Sequence, residues 1–144
     1  GYPGAGKTVL AGWLKFEGWH LLDFDLTSPG SRVDDLLDAP ADHPDFNHPN
    51  IIAEGGFLEE APRFAAMIER VGFYPVWLTG SRAHLYASRI ARNDDPEHVR
   101  NDWIGLVDKH CRQIQWRLEV DMWRPDGQRK TGPEVMEEIV RSMG

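Results

Sequence analysis

The first eight residues, Gly1 to Thr8, read G-x-x-x-x-G-K-T, and Gly4 places one more residue without a side chain inside the run. Glycines let successive backbone N–H groups turn inward around an anion, and a helix beginning at about Thr8 adds the partial positive charge of its N-terminus. Gly1, Gly4, Ala5, Gly6, Lys7, Thr8 and Val9 are therefore expected to hold the phosphates of ATP, with Lys7 reaching the β- and γ-phosphates and Thr8 offering its hydroxyl to Mg²⁺. A chance match to the pattern is expected in roughly 0.005 chains of this length.

Phosphoryl transfer from such a grip needs a carboxylate near the metal and a group that orients or deprotonates the attacking hydroxyl. Three acids stand at the ends of expected strands: Asp23 and Asp25 in "GWHLLDFD", and Glu54 in "NIIAEGG". Period-two geometry puts Asp23 and Asp25 on one side. Taken singly, each acid reads equally well as a solvated loop residue or a helix cap. Together, on the edge that carries the phosphate loop, they can fill both roles. Charge spread over the γ-phosphoryl oxygens also calls for planar donors. Arg82, Arg89 and Arg92 lie on a helical stretch from Ser81 to about Arg92 that runs into "NDDPEHVR", where the periodicity breaks. Residues 92–100 are expected to form a short lid bringing Arg89 or Arg92 to the phosphates, with a solvated arginine face as the alternative for each. His43 and His48 lack the spacing of a zinc site.

Strands and helices alternate along the chain. A strand is expected from Trp19 to about Phe24, then a short helix in "SRVDDLLDA" with Ser31 near its cap, and a surface connection in the proline-rich "PADHPDFNHPN". After the strand ending at Glu54, a helix carries Phe64, Met67, Ile68 and Val71 on one face and stops at Gly72. "FYPVWLTG" is the next strand, and beyond the lid a long helix spaces Val99, Trp103, Val107, Cys111, Ile114 and Leu118 about one turn apart. "LEVDMW" is the last strand. The final helix opens on a capping box, Thr131 with Glu134, and buries Val135, Ile139 and Met143. The alternation predicts a three-layer α/β/α domain with a parallel sheet covered on both faces. Ligands of such sheets collect at the carboxyl ends of the strands. The phosphate loop is thus expected to follow a central strand that lies upstream of Gly1 and is missing from this sequence.

The 144 residues suit one domain, and 23 acidic against 16 basic residues give a net charge of −7, so no general field draws the chain toward nucleic acid or an anionic membrane. Cys111 is the single cysteine, and no apolar run approaches a membrane span of about 18 residues. A cytoplasmic monomer or homodimer working on a small-molecule acceptor is the expectation.

These residues resemble the small P-loop kinases, the group that includes shikimate kinase, gluconate kinase and the nucleoside monophosphate kinases. "GYPGAGKT" is similar to their phosphate loop, "LLDFD" to the D-x-D after the second strand of shikimate kinase, and "IIAEGG" to its I-A-x-G-G segment. The resemblance implies an ATP-dependent phosphotransferase with Asp23 near Mg²⁺ and Asp25 on the acceptor hydroxyl. Gly55 and Gly56 would then let the acceptor approach closely. Glu54 stands where a small residue is usual, and Phe57 replaces the third glycine, which departs from a shikimate site. The alternatives are a nucleotide kinase, whose D-G-F-P-R arginine is missing from "EGGF", and an NTP-binding module that hydrolyses slowly.

Overall fold

Two pairs of short parallel strands form the centre of the computed structural model, which describes residues 1–2, 4–24, 33–55, 60–92, 94–95 and 103–144, with the backbone alone at 33, 103 and 104. Helix α1 (Lys7–Phe16) starts one residue earlier than its sequence suggests and turns Leu10, Ala11 and Leu14 inward. Strand β1 (His20–Asp23) pairs in parallel with β2 (Ile51–Glu54), and the register sets Asp23 beside Glu54. The ladder runs on into Phe24, whose N–H donates to the Glu54 carbonyl at 2.8 Å. Strand β3 (Val76–Thr79) pairs in the same way with β4 (Leu118–Asp121). Parallel pairing needs crossovers, and helices supply them. Helix α2 (Val33–Leu37) lies between β1 and β2, while α3 (Ala61–Val71) leads to β3. Helices α4 (Arg82–Ala91) and α5 (Trp103–Cys111) lie between β3 and β4, and α6 (Gly132–Met143) follows.

Because neighbouring strand residues point to opposite faces, the strands feed separate apolar clusters. Leu22 and Phe24 pack with Leu36 and Leu37 of α2 and with Phe64 and Met67 of α3, the rings of Phe24 and Phe64 meeting edge to face at 5.1 Å. Leu78 and Val120 pack with Leu10 and Leu14 of α1, Leu85 of α4 and Val135 of α6. Trp77, next to Leu78, turns the other way and meets Val107 and Cys111 of α5. Three helix ends are fixed by side-chain caps or glycine, two of them, Gly72 and the Thr131–Glu134 box, where the sequence marks them. Ser81 caps α4 by accepting from the His84 N–H at 3.1 Å, Gly72 closes α3 at φ 86°, and Thr131 and Glu134 form the capping box of α6.

One expectation, the surface course of the proline-rich connection, holds with an addition, and two need correction. The proline-rich connection contains a 3₁₀ turn (Pro44–Phe46), capped by His43 Nδ1 accepting from the Asp45 N–H at 3.1 Å, and this turn drives Phe46 into the core. Helix α5 ends at Cys111, not near Leu118. The Cys111 carbonyl accepts from the Ile114 N–H and from Trp116 Nε1, both at 3.1 Å, which reverses the chain. Arg117 then donates to the Pro75 carbonyl, so Leu118 opens β4 instead of extending a helix face. Met143, in the last turn of α6, is 60% exposed. Ser31 and Val99 lie outside the described residues, as does the side chain of Trp103. No helix among the described residues is long and apolar enough to cross a membrane.

Candidate phosphate-binding site

Gly4 and Gly6 adopt φ values of 85° and 92°, a left-handed backbone that only glycine enters without strain, and Gly6 passes directly into the first residue of α1. The loop is closed by the Ala5 N–H donating to the Tyr2 carbonyl at 3.1 Å and is tied to β3 by the Tyr2 N–H donating to the Leu78 carbonyl at 3.0 Å. Gly1 sits so close to Leu78 that a Cβ would lie 2.8 Å from both its Cβ and its carbonyl oxygen. Lys7 Nζ folds over the loop and donates to the carbonyls of Gly1 at 3.1 Å and Tyr2 at 3.2 Å. Thr8 and Val9 stand exposed in the first turn of α1.

Helix α4 packs against this loop. A Cβ on Gly4 would meet the Leu85 carbonyl at 2.8 Å and Cγ of Arg89 at 2.9 Å. Arg89 is 5% exposed, and a charge so buried needs a partner. Asp94 provides it: its Oδ2 accepts from Arg89 Nε at 2.8 Å and from Arg92 at 2.9 Å. The two guanidiniums, Arg92 foremost, hold the Asp94 carboxyl below its ordinary pKa.

A third arginine reaches the loop from a segment that sequence periodicity passes over. After β4, Asp121 Oδ1 accepts from the Trp123 N–H at 2.9 Å and ends the strand. Pro125, Asp126 and Gly127 make a tight turn, closed by the Gly127 N–H on the Arg124 carbonyl at 2.9 Å, and the chain returns as an antiparallel bridge between Trp123 and Arg129. Arg129 thereby lies over the Trp123 ring, 4.7 Å from its centroid, and donates to the Gly4 carbonyl and to Ser88 Oγ, the latter at 3.2 Å. Trp123 is fixed in turn by stacking on His84, at 5.0 Å and 14°, and by lying on the backbone of Gly80. Burial, followed by the nearby charge of Arg92, pushes the Arg129 pKa down. Lys7, Arg89 and Arg129 thus bring three basic side chains against the loop of an acidic chain, with Arg92 beside Arg89 on Asp94. The Pro-Asp-Gly run is the one sequence signal for the turn that aims Arg129.

The strand-end acids divide. Asp23 is exposed at the end of β1, and Glu54, half-buried at the end of β2, lies beside it in register, with Gly55 buried behind. Asp25, Gly56 and Phe57, and residues 93 and 96–100 of the expected lid, lie outside the described residues. Among the described residues no three His, Cys, Asp or Glu side chains gather as a metal cluster. Thr8 and Asp23 offer hard oxygen donors of the kind Mg²⁺ takes in ones and twos, with phosphate and water completing its shell. Comparison with protein-family models, curated proteins and solved structures finds no match for the chain.

Proposed function

We propose that the chain is the core of a small P-loop kinase, transferring the γ-phosphoryl group of ATP to a hydroxyl or phosphate of a small metabolite. The observation that carries the reading is the loop itself: two left-handed glycines lead straight into the N-terminus of α1, with Lys7 at its first position. Such a nest of amides at a helix start binds anions through backbone donors and the helix dipole together. Lys7 would exchange its carbonyl partners, Gly1 and Tyr2, for β- and γ-phosphate oxygens. Arg92, the exposed member of the pair on Asp94, would move to the γ-phosphoryl group, while Arg89 and Arg129 hold the loop from either side. Thr8 and Asp23 would hold Mg²⁺, which supplies charge neutralisation between the β- and γ-phosphates. Asp25 or Glu54 would orient the acceptor hydroxyl and take its proton.

The sheet arrangement supports the same reading. The strand pairs run parallel, helices lie between successive strands, and the loop packs on β3 through Gly1 against Leu78.

The test is ATP turnover by the full-length protein with sugar acids, polyols and nucleoside monophosphates as acceptors. At least one class is expected to stimulate turnover. Asp25→Asn should then cut acceptor-dependent transfer by about 10²-fold, the scale of a general base, with ATP affinity nearly unchanged. If Glu54→Gln shows that selective loss instead, Glu54 is the base. Should no acceptor stimulate turnover, and no acid variant lower it even tenfold, a slow NTP-binding module is the better description.

A further inference from the structure

A cleft of about 190 Å³ opens on the face of β3 and β4 that α5 covers, outside the phosphate grip. Tyr2, Trp77 and Trp116, with Cys111 behind, give its apolar lining, and Asp108, Arg112 and Glu119 its polar lining. The rings brace one another: Tyr2 meets Trp77 edge-on at 5.0 Å and 77°, and Trp116 leans on Trp77 at 4.8 Å and 49°. Trp116 is pinned by its indole N–H on the Cys111 carbonyl, and the Tyr2 hydroxyl donates to Asp108. Trp77 and Glu119 are register partners across β3 and β4, so the acid stands next to the aromatic wall. Arg112 and Glu119 are exposed, and neither forms an ion pair among the described residues.

A preformed aromatic wall flanked by one guanidinium and two carboxylates is complementary to a molecule with a carboxylate, an ammonium and a short apolar body. We infer that this cleft binds a free amino acid or a zwitterion of similar size. Arg112 takes its carboxylate, Glu119 and Asp108 face its ammonium, and Trp77 and Trp116 pack on its side chain. Tyr2 links the cleft to the phosphate loop, because the residue whose ring lines the cleft also accepts from Lys7 Nζ and from the Ala5 N–H through its carbonyl. Occupancy is therefore felt at the loop. This second statement rests on the nucleotide reading, whereas binding itself does not.

Tryptophan fluorescence and thermal shift of the full-length protein, without nucleotide, test the site against the common amino acids and against matched amines and carboxylic acids that lack one charge. At least one amino acid should give a saturable response, with single-charge analogues about tenfold weaker or worse, the worth of one charged hydrogen bond. Arg112→Ala and Glu119→Gln, both at exposed positions, should each weaken it by about tenfold. No saturable response up to 10 mM, or equal binding of single-charge analogues, or a response indifferent to both substitutions, overturns the site. With the amino acid bound, the Kd for Mg·ATP should shift. An unshifted Kd in the wild type overturns the link through Tyr2.

Discussion

Gly6→Ala is the substitution whose effect the loop geometry defines most closely. At φ 92° an alanine carries about 1–2 kcal/mol of left-handed strain. Its Cβ would also lie 2.5 Å from Nη1 of Arg129, so the guanidinium must move. Moving it gives up hydrogen bonds to the Gly4 carbonyl and to Ser88 Oγ, about 0.5–1.5 kcal/mol each, and a contact with the Trp123 ring worth about 0.5–1 kcal/mol. Since the arginine can find water or other partners, a total loss of about 2–4 kcal/mol is expected. For a chain of 144 residues that is a fall in Tm of roughly 5–15 °C. Urea and thermal unfolding of Gly6→Ala, Arg129→Ala and the double variant separate the parts. In the double variant only the backbone strain adds to the loss of Arg129, so the two single losses should exceed the double by about 1–2 kcal/mol. Gly12→Ala, inside α1 with nothing within 4 Å of its Cβ, serves as the control and should stabilise by about 0.5–1 kcal/mol. A Gly6→Ala protein within about 0.5 kcal/mol of wild type, or a double variant that is simply additive, would refute the packing of Arg129 on the loop.

Three further outcomes follow from the structure. Arg124 holds the Glu134 carboxyl down at about 2, below its unfolded value of 4.5, so the stability it contributes is full above pH 4.5 and is lost as pH falls toward 2. Glu134→Gln should flatten the acid limb of Tm against pH, and an unchanged limb contradicts the pairing. Burial, and then the hydrogen bond to Asp108, push the Tyr2 phenol up to about 12 from 10, so its contribution is full below pH 10 and disappears as pH rises toward 12. Tyr2→Phe should remove that alkaline dependence in the same melting series. Phe64→Ala, at a ring with 0% exposure in the cluster between α2, α3 and β1, should lower stability by about 3–5 kcal/mol in urea unfolding.

How much of this was legible in the sequence depends on whether a residue's role is local. The glycine turn before α1, the capping box at Thr131 and Glu134 and the Gly72 stop are decided locally, and their backbone forms where the sequence puts it, within one residue at α1. Asp23 and Glu54 were readable as strand ends, and parallel register brings them side by side. Arg89 was readable as a residue near the loop but not as a buried one, because its burial depends on Asp94 five residues on and on the closeness of Gly4. Arg129 was missed. It reaches Gly4 across 125 residues, and no periodicity marks an arginine that follows a turn. The overrun of α5 has the same origin. Ile114 and Leu118 continue a helical spacing, yet pairing with β3 fixes where β4 must start, and that constraint lies in the partner strand.

The central claim is that residues 1–8 grip the phosphates of a nucleotide, and calorimetric titration of the full-length protein with Mg·ATP, wild type beside Lys7→Ala, tests it most directly. Lys7 lies at the first position of α1 and its Nζ donates to the loop carbonyls of Gly1 and Tyr2, so Lys7→Ala should fold with an unchanged far-UV spectrum. The wild type should bind Mg·ATP saturably, and Lys7→Ala should bind at least about tenfold more weakly, the loss of one charge-assisted contact to phosphate. Equal affinity of the two proteins, or no binding by the wild type at millimolar ATP, would contradict the grip.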